Sequence, residues 1–227
     1  MKIVYRFLAA LLGVAVLQIA GACSAQGGAA ANQVAVAQTP LQQLIAGNER
    51  YASGHPLHPH QDVDRRTEVA SGQHPIAIVV GCSDSRVPPE IVFDQGLGDI
   101  FVVRTAGEVV DDQALGSIEY AVEHLHVHLI VVLGHENCGA VAAAVAGGEA
   151  PGHIGSVVAA IEPAVEKARH EPGNLLENAI DENVRLVVGK IESSGPILSH
   201  EVASGELKVV GARYDLGPGT VEWLTPQ

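Results

Sequence analysis

The sequence predicts an α/β domain in which a mostly parallel β-sheet of four to five strands is flanked by helices. Short runs of apolar, mainly β-branched residues alternate along the chain with segments of helical periodicity. Each run is apolar throughout, which is typical of strands that are covered on both faces. Both observations favour a parallel sheet between layers of helices. An N-terminal helical arm precedes the first strand.

Four strands are predicted in chain order, at 76–80, 100–103, 129–133 and 207–212. The predicted helices lie at 41–52, 111–126, 140–146, 156–169 and 174–193. Asp111 and Asp112 suit the positive end of the second of these helices, and Asn174 is expected to cap the last one. Gly-, Pro- and His-rich segments separate the helical patterns.

The first 22 residues, 1–22, are predicted to be a secretory signal peptide. Lys2 and Arg6 precede an apolar run, 7–19, which is shorter than the roughly 20 residues that span a bilayer. Small residues then precede Cys23, which resembles a bacterial lipoprotein cleavage site. Cys23 is therefore a candidate for lipid attachment, and ordinary cleavage with an unmodified or lost Cys23 is the alternative.

Residues 23–40 are rich in Ala, Gln and Gly and are predicted to be a flexible linker. The folded domain is predicted to occupy 41–227. Together these segments predict an exported protein of the bacterial periplasm, either free or anchored to the membrane through Cys23.

The charge balance excludes one class of partner. The chain has 13 Lys and Arg residues against 26 Asp and Glu residues, a formal net charge of −13. Such a surface repels phosphate backbones, so the protein is not expected to bind nucleic acid. Attraction to anionic lipid headgroups is excluded for the same reason.

Potential metal ligands follow two of the predicted strands. Cys82 comes just after the first strand, and His135 just after the third. Neighbouring parallel strands lie about 5 Å apart, so these side chains are expected at the same edge of the sheet. Cys138 lies where the next helix begins, a position that lowers the pKa of a thiol. Two Cys and one His suit Zn²⁺ and leave a fourth position open, as in catalytic zinc sites.

Two other interpretations of the cysteines remain open. Cys82 and Cys138 could form a disulfide, since Cys23 lies outside the folded domain and an exported protein can be oxidised. They could also be buried inert thiols. A disulfide would leave His135 without an explanation. The histidines of the loop at 55–60 and of the segment at 124–128 are interpreted as solvated or structural.

Asp84 and Arg86 lie between the first strand and the next helical segment, close to Cys82. The Asp84 carboxylate can accept a hydrogen bond from a metal-activated water, or it can ligate the metal itself. Arg86 can hold the carboxylate in either role through a bidentate pair. The alternative is a local salt bridge of little energetic consequence.

These motifs together resemble the signature of the β-class carbonic anhydrases. The resemblance runs from about Leu41 to the C-terminus. It is carried by Cys82-Ser83-Asp84-Ser85-Arg86, by His135-x-x-Cys138-Gly139, and by the segments 101–107, 117–121 and 211–215. It implies that Cys82, His135 and Cys138 hold one Zn²⁺ per subunit. It also implies that Asp84 and Arg86 form a catalytic dyad.

The resemblance further implies a substrate pocket of the plant-like branch and a reaction. The pocket residues are Gln73, Phe101, Tyr120 and Gly139. In this family one subunit contributes pocket residues to its neighbour's site, which implies a homodimer or a higher, dimer-based oligomer. The implied reaction is the reversible hydration of carbon dioxide to bicarbonate and a proton, by attack of zinc-bound hydroxide.

The sequence departs from the family pattern at two positions, and two other functions are alternatives to the implied one. Val79 stands where the branch with an inhibitory bicarbonate site has Trp, so the open form with water as fourth ligand is expected. Thr105 stands where the family commonly has Asn. Relatives that hydrolyse carbonyl sulfide or carbon disulfide are the nearest rival. A zinc-storing protein is the other, although it would not need Asp84, Arg86 or Gln73.

Overall fold

The structure is a computed structural model that describes residues 38–224. The predictions for 1–22, for Cys23 and for nearly all of the linker lie outside the described residues. The strands within 38–224 are β1 (Ala77–Cys82), β2 (Ile100–Thr105), β3 (Leu129–His135), β4 (Lys208–Tyr214) and β5 (Val221–Trp223). The α-helices are α1 (Pro40–Ala52), α2 (Val63–Glu68), α3 (Pro89–Val92), α4 (Asp112–Leu125), α5 (Gly139–Ala146), α6 (Ile154–Ala168), α7 (Leu175–Glu192) and α8 (Ile197–Ser204).

The strands form one sheet in the order β2-β1-β3-β4-β5. The first four are parallel, and β5 is antiparallel to β4. The predicted fold class is therefore confirmed. All four predicted strands are present, but each continues further at its carboxyl end than its apolar run suggested. The reason is backbone pairing, which carries the ladder to Cys82 opposite Thr105 and to His135 opposite Tyr214.

Successive residues of β1 point to opposite faces of the sheet, as the pleat of a strand requires. Ile78 and Val80 belong to a core covered mainly by α4, α7 and α8. Val79 belongs to a second core, on the other face, which includes Leu44 of α1 and Phe93 after α3. Because both faces are covered, β1 and β3 are buried along their whole length.

The starts of the long helices are set by side-chain caps. The Asp111 side chain accepts a hydrogen bond from the N–H of Ala114 at the start of α4. Asn174 caps α7, as predicted. Helix α1 begins at Pro40, where Thr39 forms a capping box with Gln42, so the helix starts inside the predicted linker.

The short helices α2, α3 and α8 were not predicted, because four to eight residues give too little periodicity to recognise. None of the helices within 38–224 has the length and hydrophobicity needed to cross a bilayer.

Candidate active site

Three potential metal ligands converge at the carboxyl ends of the central strands. Cys82 is the last residue of β1, His135 is the last residue of β3, and Cys138 immediately precedes α5. All three side chains are buried, and their ligand atoms lie within 4.8 Å of one another. Because β1 and β3 are hydrogen-bonded neighbours, their ends meet at one edge. The predicted convergence of Cys82, His135 and Cys138 is therefore present in a single chain.

The turn between His135 and Cys138 has a local cause. The N–H of Glu136 donates to the Tyr214 carbonyl at the end of β4, which extends the strand pairing past His135. Asn137 then adopts the left-handed conformation, with φ of 54°, which an Asn tolerates better than most residues. This reversal brings Cys138 back over the end of β1.

The donor set fits a soft or borderline metal ion. The Nδ1 atom of His135 lies 2.9 Å from the carbonyl oxygen of Glu136, so Nδ1 carries the proton and Nε2 presents its lone pair. Nε2 is buried and has no hydrogen-bond partner among the described residues. The sulfur atoms of Cys82 and Cys138 are 4.0 Å apart. Two sulfurs on a shared tetrahedral zinc would lie about 3.8 Å apart, because each Zn–S bond is about 2.3 Å.

Both cysteines are free thiols. The distance of 4.0 Å between their sulfur atoms is about twice the length of a disulfide bond, so the two cysteines do not form a disulfide in this structure. The hydrogen bond with Cys138 holds the pKa of Cys82 well below its ordinary value, although burial opposes this. The same hydrogen bond, together with burial, raises the pKa of Cys138. The sequence predicted the lowered pKa for Cys138, whereas in this pair the lowered pKa is that of Cys82, and either sulfur can be the donor of their shared hydrogen bond.

Asp84 and Arg86 form the predicted bidentate pair at the rim of the cluster. The Nε atom of Arg86 is 2.9 Å from Oδ1 of Asp84, and Nη2 is 2.7 Å from Oδ2. The Arg86 guanidinium holds the pKa of Asp84 well below its usual range. Oδ2 of Asp84 is 3.9 Å from Nε2 of His135. An ionised carboxylate therefore faces the potential metal ligands.

Comparison with known proteins places this arrangement in a family. The sequence model of the family described as carbonic anhydrase matches residues 77–221. Carbonic anhydrase 2 of Mycobacterium tuberculosis is 48% identical over 180 residues, which cover 78% of this chain and 87% of that protein. The carbonic anhydrase of Mycolicibacterium smegmatis is 44% identical over 183 residues, which cover 79% of this chain and 89% of that protein.

The solved structures agree with this assignment and give the class. The Coccomyxa β-carbonic anhydrase bound to acetazolamide superposes with a TM-score of 0.65 at 29% identity, covering 81% of this chain and 86% of that one. A tetrameric β-carbonic anhydrase of Sordaria macrospora gives 0.64 at 27% identity, covering 83% and 98%. The chain belongs to the β-class carbonic anhydrases. It is accordingly an enzyme of that class.

In this carbonic anhydrase, two groups that the sequence analysis gave no role hold the Cys82 strand end. Arg104 donates from Nε to the Cys82 carbonyl at 2.8 Å and from Nη2 to the Asp84 carbonyl at 2.5 Å. The N–H of Gly107 donates to the Cys82 sulfur at 3.3 Å. Arg104 and Gly107 both lie in segment 101–107, one of the segments that carry the resemblance to the family. Their position in that segment is the sequence feature that could have indicated a role at the site.

Glu108 was missed altogether. Its side chain is only 1% exposed, and its Oε1 accepts a 2.8 Å hydrogen bond from Asn183 of α7. Burial and the nearby negative charge of Cys82 raise the pKa of Glu108 to about 8. No sequence signal pairs two residues that lie 75 positions apart.

The predicted substrate-contacting residues of this carbonic anhydrase divide into two groups. Gly139 is the first residue of α5 and directly follows Cys138. Gln73 is exposed and precedes β1, at the end opposite Cys82. Phe101 pairs with Ile78 in the first half of β2.

Tyr120 is 48% exposed on α4, with its ring centroid 5.1 Å from that of His124. One chain thus brings Gly139 to the cluster, but not Gln73, Phe101 or Tyr120.

Proposed function

We propose that this β-class carbonic anhydrase catalyses the reversible hydration of carbon dioxide to bicarbonate and a proton, using one Zn²⁺ per subunit. Cys82, His135 and Cys138 would hold the ion. The observation that carries this proposal is the convergence of the three ligand atoms within 4.8 Å, with an ionised Asp84 facing them. Zinc bound there would supply a Lewis acid that makes water a nucleophile near neutral pH.

We infer that Asp84 orients the nucleophile and does not ligate the metal. Both of its oxygens already accept hydrogen bonds from Arg86, and the Arg86 N–H adds a third contact, at 2.9 Å to Oδ1. An oxygen held in this way can accept one more hydrogen bond while the carboxylate stays at the rim. This arrangement supports the open form. A crystal structure near pH 8 with Asp84 bound to zinc would contradict it.

The substrate would be held by weak contacts, because carbon dioxide is small and apolar. Phe101 and Tyr120 are proposed as apolar walls, and Gln73 as a polar contact. Gly139 is in the first turn of α5, where backbone N–H groups have no acceptor within the helix. Its N–H is therefore proposed as a hydrogen-bond donor to the bound substrate.

We infer a homodimer or a dimer-based oligomer as the working unit. Gln73, Phe101 and Tyr120 are separated from the ligand cluster of their own chain, so they can contribute only to another chain's site. Within the described residues β2 has a single sheet neighbour, β1, which leaves its outer edge available to a second copy. The tetrameric Sordaria macrospora enzyme is an oligomeric relative with this fold.

We also propose that the enzyme is exported to the periplasm, with Cys23 as the candidate point of lipid attachment. This rests on the composition of 1–22 alone. Mass spectrometry of the mature N-terminus tests it, because an unacylated residue other than Cys23 there contradicts the lipid anchor. A retained Met1 contradicts cleavage altogether.

Stopped-flow measurement of carbon dioxide hydration, combined with metal analysis of the same sample, tests the central proposal. Rapid hydration with about one zinc per chain supports it. Zinc without hydration favours a storage protein. Faster hydrolysis of carbonyl sulfide or carbon disulfide than hydration of carbon dioxide would assign the rival reaction on the same scaffold.

A further inference from the structure

Two buried side-chain polar atoms within residues 38–224 have no hydrogen-bond partner, and both lie near the ligand cluster. They are Nε2 of His135 and Oε2 of Glu108. A metal ion accounts for the first. The second belongs to a carboxyl group that is almost completely buried and that the proposed reaction does not use. Burying such a group is costly, so its position requires an explanation.

Glu108 lies in a tight turn that touches Cys82. Gly107 and Glu108 both have left-handed backbones, with φ of 64° and 44°. This conformation is strained for a glutamate, and it persists only where surrounding contacts impose it. A Cβ atom at Gly107 would lie 2.7 Å from Cδ1 of Ile161, so the turn is pressed against α6. In this position the Gly107 N–H reaches the Cys82 sulfur.

The contact that imposes the turn comes from Asn183 in α7. This asparagine is 1% exposed, and its amide nitrogen donates to the Gly107 carbonyl at 2.9 Å and to Oε1 of Glu108 at 2.8 Å. One amide group therefore uses both of its hydrogens to fix two adjacent residues of the turn. The carboxyl group also packs against β3, since a Cβ at Gly134 would lie 3.4 Å from Oε1.

We propose that Glu108 and Asn183 form a positioning pair for the metal centre, by holding the Gly107 N–H against the Cys82 sulfur. The inference rests on the proposed zinc site. An N–H group that donates to a thiolate withdraws electron density from the sulfur and fixes its direction. Without Asn183 the turn would lose both hydrogen bonds from α7, and the Gly107 N–H would move away from the sulfur. The pair acts through Gly107 and does not touch the reacting atoms.

Cobalt substitution provides a readout of the sulfur itself. Co²⁺ bound to thiolates has a sulfur-to-metal charge-transfer band in the near ultraviolet, and loss of an N–H···S hydrogen bond moves this band to lower energy. Asn183→Leu removes both donors and keeps the number and branching of the side-chain heavy atoms. Asn48→Leu is the matched control, because Asn48 is also buried and donates to two carbonyls, of Val92 and Gly219, with no contact to the cluster.

The expected result is a red-shifted cobalt band in Asn183→Leu and a Zn²⁺ affinity about 10- to 100-fold weaker by chelator competition. Asn48→Leu should keep the wild-type band and affinity while losing stability. Glu108→Gln retains an oxygen acceptor for Asn183 and should keep the band, whereas Glu108→Leu should shift it. This second pair decides the question if Asn183→Leu does not fold.

Identical bands and affinities in Asn183→Leu and Asn48→Leu would overturn the positioning role, and so would identical bands in Glu108→Gln and Glu108→Leu. A wild-type protein that binds Co²⁺ with no thiolate band would contradict the metal centre itself. A normal wild-type band that no variant moves contradicts the positioning pair alone.

Discussion

Two regions of the molecule differ in how far the chain buries them. One is formed by the carboxyl ends of β1 and β3, and the other is the outer edge of the sheet at β2. At the strand ends, Cys82 and Cys138 belong to a buried cluster with apolar side chains of α5, α6 and α7. Along the outer edge, Phe101 is half-buried, and Tyr120 on α4 is exposed. The same apolar burial that stabilises the domain therefore fixes the ligand geometry. The edge residues obtain no such enclosure from their own chain.

This difference separates two kinds of site residue. The potential ligand set is complete within one chain, because β1 and β3 are neighbouring parallel strands whose ends meet at one edge. The proposed substrate contacts would be completed by the second copy of the proposed dimer. Substitutions in the two regions should therefore behave differently in mixed assemblies, and they should differ in whether they remove metal.

Replacing Cys138 with serine is expected to have the largest effect. A neutral hydroxyl is a much poorer zinc ligand than a thiolate, so Cys138→Ser should lose both bound zinc and all measurable carbon dioxide hydration. Metal analysis and stopped-flow assays on one preparation measure both quantities. Cys23→Ser removes the remaining cysteine of the chain, and it should leave zinc and activity unchanged. A fully active, zinc-loaded Cys138→Ser protein would place the ligand set elsewhere.

Asp84→Ala should separate catalysis from metal binding at the rim of the buried region. Zinc content should stay near wild type, because Asp84 is not among the three ligands, while turnover should fall about 100-fold or more. The control is Asp181→Ala, which breaks a comparable ion pair between Asp181 in α7 and Arg213 in β4. Unchanged turnover in Asp84→Ala would remove Asp84 from its assigned role.

The edge region is tested by mixing two defective chains. Gln73→Ala alone should keep its zinc and lose about tenfold in activity, the cost of one polar contact. When it is co-expressed with Cys138→Ser, each mixed dimer contains one site with intact ligands and an intact Gln73 from its neighbour. Activity should then rise to about a quarter of the wild-type value for random C₂ pairing.

Mixing Asp84→Ala with Cys138→Ser is the control, since Asp84 and the ligands belong to one site in one chain. No mixed dimer then has an intact site, so activity should not rise. Recovery in this control, or its failure in the Gln73→Ala mixture, would contradict the division between the two regions.

The ligand cluster could be predicted because it depends on local features. Strand ends that carry Cys and His are visible in the sequence, and parallel pairing brings them together. The hydrogen bond between the sulfurs of Cys82 and Cys138 could not be predicted, since it depends on their 4.0 Å separation in the folded chain. The separation of Gln73 from Cys82 follows from the direction of β1, but the identity of its partner site does not.

Long-range buried contacts were beyond sequence reasoning. Asn183 looks like any polar residue of an amphipathic helix until α7 is placed against the turn at Gly107. The short strand β5 depends in the same way on its pairing with β4, as Trp223 lies opposite Ala212. The function of Asn183 and the formation of β5 both depend on tertiary packing, which the periodicity of the sequence does not reveal.

Stability within the enclosed region is expected to depend on pH, which sharpens the contrast with the rim. The pKa of Glu108 is raised from 4.5 to about 8 in the folded protein, first by burial and then by the charge of Cys82. Between these values the folded state retains a proton that the unfolded chain has released, so stability falls as pH rises from about 4.5 to about 8.

Glu108→Gln cannot titrate, and its loss of stability over this window should be smaller. Urea unfolding of the zinc-free proteins at a series of pH values measures the difference, and parallel curves would mean that Glu108 does not titrate there. Asp84, at the rim, has the opposite sign: its pKa is lowered by Arg86, so its contribution is present above its ordinary value and is lost on acidification.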